Sequence, residues 1–370
     1  MYTMDNKDNQ AKEEVKMLKT TLSDMLEIEY PIIQGGMAPW ATERLCVAVS
    51  NAGALGIISS IGVGMPQAAP VALADDPDWK DKSPYELLRA VLQWATEQTA
   101  EKQGIFGVNV PLAEEFGEVV EGLIRATIDA RKEDEDTANR LRVIITSAGN
   151  PAPWANLIKE SGALWFHVVP SVAHAMKAEQ AGADLIIASG REGGGHVAFE
   201  PVHSMVLLPA VVNATSLPVV GAGGFCDGST LAAALSMGAV GIQMGTRFIA
   251  TEDSDFPEIW RQKILTSNER GSHVGISVFG PARYLKNKIS QQLYELYNRG
   301  FLEGYKEGTR LEGRGMQQLS KSSDPDECVF LGGEVAGRIE QMPTVRELIE
   351  EICGDAETVI RKLPKLVTES

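Results

Sequence analysis

The 370-residue sequence predicts an α/β fold, a (β/α)8 TIM barrel carrying a small inserted cap or lid. Eight short apolar, β-branched runs alternate with eight stretches of helical periodicity. The runs are apolar almost throughout, as parallel strands covered on both faces are. Three of them follow a Gly that reads as a helix end. In order, strand Tyr30–Gln34 leads to helix 41–52, whose Ala52-Gly53-Ala54 end feeds strand Leu55–Ser59. Helices 84–102, 114–132 and 152–161 precede strands Ile105–Val110, Arg142–Thr146 and Leu164–Val168. Helix 171–181 ends in Ala181-Gly182-Ala183 and feeds Asp184–Ala188. Helix 203–214 precedes Pro218–Gly221, and helix 227–237 ends in Met237-Gly238-Ala239 before Gly241–Met244. An eighth helix is expected near 256–267. Strict alternation favours the barrel over a doubly wound sheet, which is the alternative.

Three segments break the alternation. Residues 61–83 are rich in Pro and Asp and read as a loop. Residues 131–140, RKEDEDTANR, are a charge run and read as a solvated helix end. Residues 268–325 carry Tyr284, Tyr294, Tyr297 and Tyr305 and many basic side chains, as a lid over a barrel mouth would. The expected division is a mobile N-terminal tail over 1–18, the barrel over 19–267, the lid over 268–325 and a C-terminal segment over 326–370. Pro343–Leu366 of that last segment is an amphipathic helix expected to pack on the barrel.

Composition excludes several classes. Lys and Arg number 34 against 50 Asp and Glu, a net charge of −16 that opposes binding to nucleic acid or anionic lipid. Cys46, Cys226, Cys328 and Cys353 form no C-x-x-C, so neither a zinc knuckle nor a disulfide framework is written here. Reduced thiols and a cytoplasmic location are expected. Residues 45–65 are uncharged, yet Asn51 and interspersed Gly and Ser make them a helix end, turn and strand rather than a membrane span. The first 16 residues lack the apolar core of a signal peptide. No H-x-x-H or H-E-x-x-H occurs, no acidic cluster has ligand spacing, and no metal is expected.

In a barrel the chemistry sits where strands end. After the first strand, Gly35, Gly36 and Met37 offer bare backbone and a soft apolar surface to a flat ligand, or a tight turn with a core methionine. Asn109, in the third strand, either hydrogen-bonds a ring amide or caps a turn. Gly193-Gly194-Gly195-His196 follows the sixth strand. Three consecutive glycines cost backbone entropy, so the position needs bare backbone, and the imidazole beside it suits proton transfer at a barrel mouth. A surface histidine beside a flexible turn is the alternative. Gly223 and Gly224 after the seventh strand, with Gly245 and Thr246 after the eighth, are the residue types of a backbone phosphate site. Asp227 is placed to cap the next helix. His167 reads as a core residue, while His174 and His203 fall on helices and His273 in the lid.

Taken together these strand ends resemble the nitronate monooxygenase family, which includes FMN-dependent enoyl-ACP reductases. The matching stretches are Pro31–Met37, Ser50–Gly56, Phe106–Asn109, Glu192–His196, Ala222–Gly224 and Gln243–Phe248. The resemblance implies FMN in a (β/α)8 barrel. Gly36, Met37 and Asn109 would approach the flavin, and Gly194 and Gly195 would line it. Ala222, Gly223 and Gly224, with Gln243, Met244, Gly245 and Thr246, would hold the ribityl phosphate. His196 would be the catalytic residue. The sequence departs from the family pattern at Gly193, where Ala is usual, and at Val168, where Lys follows the strand-5 histidine.

The first functional reading is a flavin monooxygenase that oxidises nitronates or nitroalkanes with O2. The second is an NAD(P)H-dependent reductase of an enoyl thioester or a quinone. A non-catalytic flavin-binding barrel is the third. All three take a small-molecule partner, and a homo-oligomer is compatible with each.

Overall fold

The computed structural model describes residues 18–64, 69–113 and 117–367. The expected N-terminal tail up to residue 17, and residues 65–68 and 114–116 of the expected loop and helix, lie outside the described residues.

After a short helix, α1 (Thr21–Leu26), the chain alternates: β1 (Ile32–Gln34), α2 (Glu43–Asn51), β2 (Gly56–Ser59), α3 (Ser60–Gly64), α4 (Pro84–Thr99) and β3 (Phe106–Pro111). It continues with α5 (Gly117–Glu133), α6 (Glu135–Arg140), β4 (Leu141–Ser147), α7 (Ala155–Glu160), β5 (Leu164–Val169), α8 (Val172–Ala181) and β6 (Leu185–Ser189). A two-residue strand, β7 (Gly195–His196), precedes α9 (Ser204–Ala214), β8 (Val219–Ala222), α10 (Gly228–Ser236) and β9 (Ile242–Met244). Then follow α11 (Thr246–Ile249), α12 (Glu258–Leu265), the hairpin β10 (Ser272–Ser277) and β11 (Gly280–Leu285), α13 (Lys288–Arg299), α14 (Phe301–Gln318) and α15 (Val345–Lys362).

All eight expected strands are present and pair in parallel, in the order β1-β9-β8-β6-β5-β4-β3-β2. The ring is brought to closure by a parallel bridge between Ile33 and Leu55. Period-two alternation divides each strand between two cores. Ile33, Ile57, Val143, Ile145, Phe166, Ile187 and Val220 fill the inside, joined by Leu22 and Leu26 of α1. Ile32, Ile58, Val108, Ile144, Trp165 and Ile186 face the helices.

Three expectations change. Residues 61–83 hold α3 and two single-turn helices, at Val71–Leu73 and Trp79–Asp81, as well as loop. The charge run is not a frayed end: Asp134 stops α5 and caps α6 by accepting from the backbone N–H groups of Asp136 and Thr137. Thr137 and Arg140 are buried, so the run conceals one more amphipathic turn. The helix expected near 256–267 forms as α12, yet it packs in a separate cluster with Phe256, Phe330 and Ile339. The eighth place in the helical layer, between α10 and α2, belongs to α15. A Cβ at Gly228 would overlap Asp355, so the bare glycine lets α15 sit tightly on α10. The connection from β9 to α15 therefore carries the hairpin, α13 and α14 at the mouth.

Among the described residues no helix is long and apolar enough to cross a membrane. The four cysteines are free and buried.

Candidate functional site

The ends of β1, β3 and β9 meet closely. The Gly35 N–H donates to the Met244 carbonyl at 2.8 Å. A Cβ on Gly36 would lie 2.5 Å from the Asn109 side chain, so the glycine is a steric requirement of Asn109. Asn109 Nδ2 donates to the Ile145 carbonyl and to Ser147 Oγ, each at 3.3 Å. Met37 turns toward Gly245, its Sδ 3.4 Å from where a Cβ there would stand. Gln34 faces away from this cluster, holding β2 through the Ile57 carbonyl at 2.9 Å and the Ile57 N–H at 3.1 Å.

The glycine-rich loop after β6 is clamped on three sides. The Gly190 N–H donates to the Ala222 carbonyl at 2.9 Å. A Cβ on Gly223 would fall 2.6 Å from the Gly190 carbonyl oxygen, and one on Gly194 would fall 2.5 Å from Gly333 N. The Gly333 N–H donates to Thr246 Oγ1 at 2.9 Å, which ties the end of β9 to the same assembly. The Glu192 carboxylate accepts from the N–H and hydroxyl of Ser204 at 3.0 Å, so it caps α9. The Arg283 guanidinium donates to the Arg191 carbonyl at 3.0 Å and pairs with Glu334.

This clamp turns the next residues into β7, which pairs antiparallel with β11: His196 opposes Ala282 and Gly195 opposes Arg283. His196 Nε2 lies 3.1 Å from Ser277 Oγ, and its ring lies 5.2 Å from that of Phe279. The ring is accessible at the cleft yet surrounded by protein, and this desolvation pushes its pKa down to about 4. Solvent on the open side tempers the shift; its direction leaves a neutral imidazole at pH 7.

Is a flavin compatible with these residues? Gly195, Gly223 and Gly224 all adopt positive φ, the conformation that presents bare backbone to a ligand. Gln243 stands beside Ile33 and Ala222 in the sheet, both of the inner lining, and its Oε1 is buried with no hydrogen-bond partner among the described residues. An orphaned amide oxygen among glycine ends suits a ring N–H or a ribityl hydroxyl. The residues present fit the group.

The structure thus brings Gly36, Met37, Asn109, Gly194, Gly195, Ala222, Gly223, Gly224, Gln243, Gly245 and Thr246 to one mouth, with the Met244 side chain turned into the helix-facing core and His196 on β7, the strand paired with the hairpin. His167 is elsewhere: its Nδ1 meets Thr146 Oγ1 at 2.7 Å, on the strand face turned toward the helices. His174 hydrogen-bonds Ser171, His203 is the cap residue of α9, and His273 stacks on Tyr294. Sequence reasoning missed Ser277 and Glu312, which lie behind His196, and Arg283. Only the pairing of β7 with β11 brings these three to the site.

Comparison with known proteins agrees with this geometry. The model of the nitronate monooxygenase family matches residues 19–355. A (3aS,4S,5R,7aS)-5-hydroxy-7a-methyl-1-oxo-octahydro-1H-indene-4-carboxyl-CoA dehydrogenase from Mycobacterium tuberculosis is 31% identical over 95% of this chain and 99% of its own. A probable nitronate monooxygenase from Staphylococcus aureus is 31% identical over 74% of this chain and 80% of its own. The structure of FabK from Thermotoga maritima superposes with a TM-score of 0.78 at 30% identity, covering 95% of this chain and all of that one. The chain is an oxidoreductase belonging to the nitronate monooxygenase family.

Proposed function

We propose that this protein is an FMN-dependent oxidoreductase acting on an acyl thioester, with His196 exchanging a proton at a carbon activated by the thioester carbonyl. The observation that carries the substrate class is the aromatic rim of the cleft. Phe279 lies against His196, and the Phe199, Phe301 and Tyr305 rings meet in series, edge-to-face at 5.0 Å and tilted at 5.5 Å. Phe199 is 60% exposed and Leu302 91% exposed, an apolar surface much larger than a small nitroalkane covers. The nearly full-length similarity to a CoA dehydrogenase supports the same reading.

FMN, when bound, supplies the two-electron exchange. Gly36, Met37, Asn109 and Gly194 would border its ring, and Gly223, Gly224, Gly245 and Thr246 its phosphate. His196 is kept neutral by the protein around it, so it serves as a base that takes a proton from carbon, and the imidazolium so formed is the species that returns one. With substrate bound, the aromatic rim would exclude water from that carbon. Nitronate oxidation is the second reading, favoured by the similarity to probable nitronate monooxygenases. It asks the same imidazole to accept a proton next to a nitro group.

Anaerobic stopped-flow absorbance separates the two. The purified protein is mixed with NADH, NADPH or propionate 3-nitronate, and the reduced form with enoyl-CoA thioesters of increasing chain length. Bleaching by a pyridine nucleotide, with colour restored fastest by the longer thioesters, is the expected result. His196→Ala keeps the colour and slows restoration on the order of 100-fold. Bleaching by the nitronate alone, reversed by O2, overturns the thioester reading. A colourless protein that does not take up FMN overturns both.

A further inference from the structure

Behind His196 lies a buried carboxylate that the proposed reaction does not use. Helix α14 presents Gly304, Gly308, Glu312 and Gly315 at spacings of four, four and three, all on its buried face. A Cβ on Gly308 would overlap Ile276, and one on Gly315 would lie 2.5 Å from Val329 Cγ2. Gly308 therefore lets the helix sit directly on the hairpin, and the polar side chain one turn on, Glu312, reaches into it. Glu312 is 5% exposed. Its Oε1 accepts from Ser277 Oγ at 2.7 Å and from the Tyr284 hydroxyl at 2.8 Å, and its Oε2 accepts from the Val278 N–H at 2.9 Å. Ser277 and Tyr284 are fully buried. Ser277 Oγ is also the partner of His196 Nε2.

A hydroxyl has one proton to give. If Ser277 gives it to the Glu312 carboxylate, Ser277 can only accept from His196, and Nε2 must carry the imidazole proton. Nδ1 has no hydrogen-bond partner among the described residues. We infer that Glu312 is the positioning residue of His196: through Ser277 it fixes the Nε2–H tautomer and leaves the Nδ1 lone pair as the base offered to substrate. Burial raises the Glu312 pKa, while its three donors act in the opposite direction. Those donors are all neutral, so the carboxylate is held by hydrogen bonds rather than by an ion pair.

The geometry makes an unusual demand of the isosteric variant Glu312→Gln. The Val278 N–H cannot reverse, so the Gln carbonyl must face it and the amide NH2 must face Ser277. Ser277 then accepts from Gln and donates to His196 Nε2. The Tyr284 proton, shared between Glu312 Oε1 at 2.8 Å and the Ile276 carbonyl at 3.0 Å, then goes to that carbonyl alone. The imidazole proton moves to Nδ1, and the base is lost without loss of a buried contact.

The inference rests on the proposed role of His196 for its effect on turnover, but the tautomer can be read without any substrate. The flavin-loaded protein, with 15N-labelled histidine, is examined by long-range 1H–15N correlation, and His196 is assigned from the signal missing in His196→Asn. The expected wild-type pattern is Nε2–H, with Nδ1 unprotonated. Glu312→Gln should give Nδ1–H and lower kcat/KM on the order of 100-fold, whereas Ser277→Ala should give a mixture and a loss of only a few-fold. A wild-type Nδ1–H ring, or an Nε2–H ring unchanged in Glu312→Gln, overturns the assignment. A wild-type Nδ1–H ring overturns it without any variant, and where Glu312→Gln fails to fold, an Nε2–H ring that stays unmixed in Ser277→Ala overturns it instead. A tautomer that moves as expected with kcat/KM unchanged upholds the positioning by Glu312 and overturns the role of His196 instead.

Discussion

Two histidines show how partners fix the chemistry of one residue type. His167 belongs to the core. Trp165 Nε1 donates to Thr146 Oγ1 at 2.7 Å, and the same hydroxyl lies 2.7 Å from His167 Nδ1 and 3.4 Å from the Phe166 carbonyl. Burial pushes the His167 pKa down from 6.5 to about 4. The unfolded chain binds a proton below pH 6.5 and the folded chain only below about 4. Stability from this residue is therefore complete above pH 6.5 and lost as pH falls toward 4, on the order of 3 kcal/mol in all. Chemical denaturation at pH 7 and pH 4.5 should show a smaller difference in His167→Gln than in wild type; equal differences would refute the assignment. His196 shares the direction of shift but faces the cleft, where the same neutrality serves proton exchange. Its sequence neighbourhood, three glycines before it, marked it as the candidate. Nothing local marked Ser277 or Glu312.

At the scale of elements, glycines decide where loops and helices may approach. Gly224 sits at φ +89° beside Glu192, in a conformation that a β-branched side chain resists. Gly224→Val should purify with much less flavin while keeping its far-UV circular dichroism; stoichiometric flavin would refute the phosphate-site reading. In α14 two glycines should respond in opposite directions. Gly308 is pressed against Ile276, so Gly308→Val should cost about 1–3 kcal/mol by overpacking and separate Glu312 from Ser277. Gly313 has nothing within 4 Å of its missing Cβ, so Gly313→Ala should stabilise by about 0.5–1 kcal/mol. Thermal melts of the two variants check both signs. The α6 turn, hidden in the charge run, escaped periodicity because its buried side are Thr137 and Arg140 rather than apolar residues.

At the scale of the whole molecule, the last long helix completes the barrel. Leu348, Ile349, Ile352 and Ala356 of α15 are buried in the outer core. A chain ending at residue 344 would expose them, a loss on the order of 5 kcal/mol, comparable to the stability of an entire domain. It should be insoluble or melt far below the full chain, and a soluble product with unchanged Tm would contradict the packing. The sequence by itself determined the eight strands, because apolar β-branched runs bounded by glycine have little else to become. It also determined the glycine ends and His196, because bare backbone beside an imidazole is a local signal. Only the tertiary structure decided that α15 rather than α12 occupies the eighth helical place. Both are amphipathic, and the choice depends on which surface each meets. Likewise only the tertiary structure joined residues 196, 277 and 312. Strand pairing between β7 and β11, and a glycine face on α14, join residues 81 and 35 positions apart in the chain, where local periodicity carries no information.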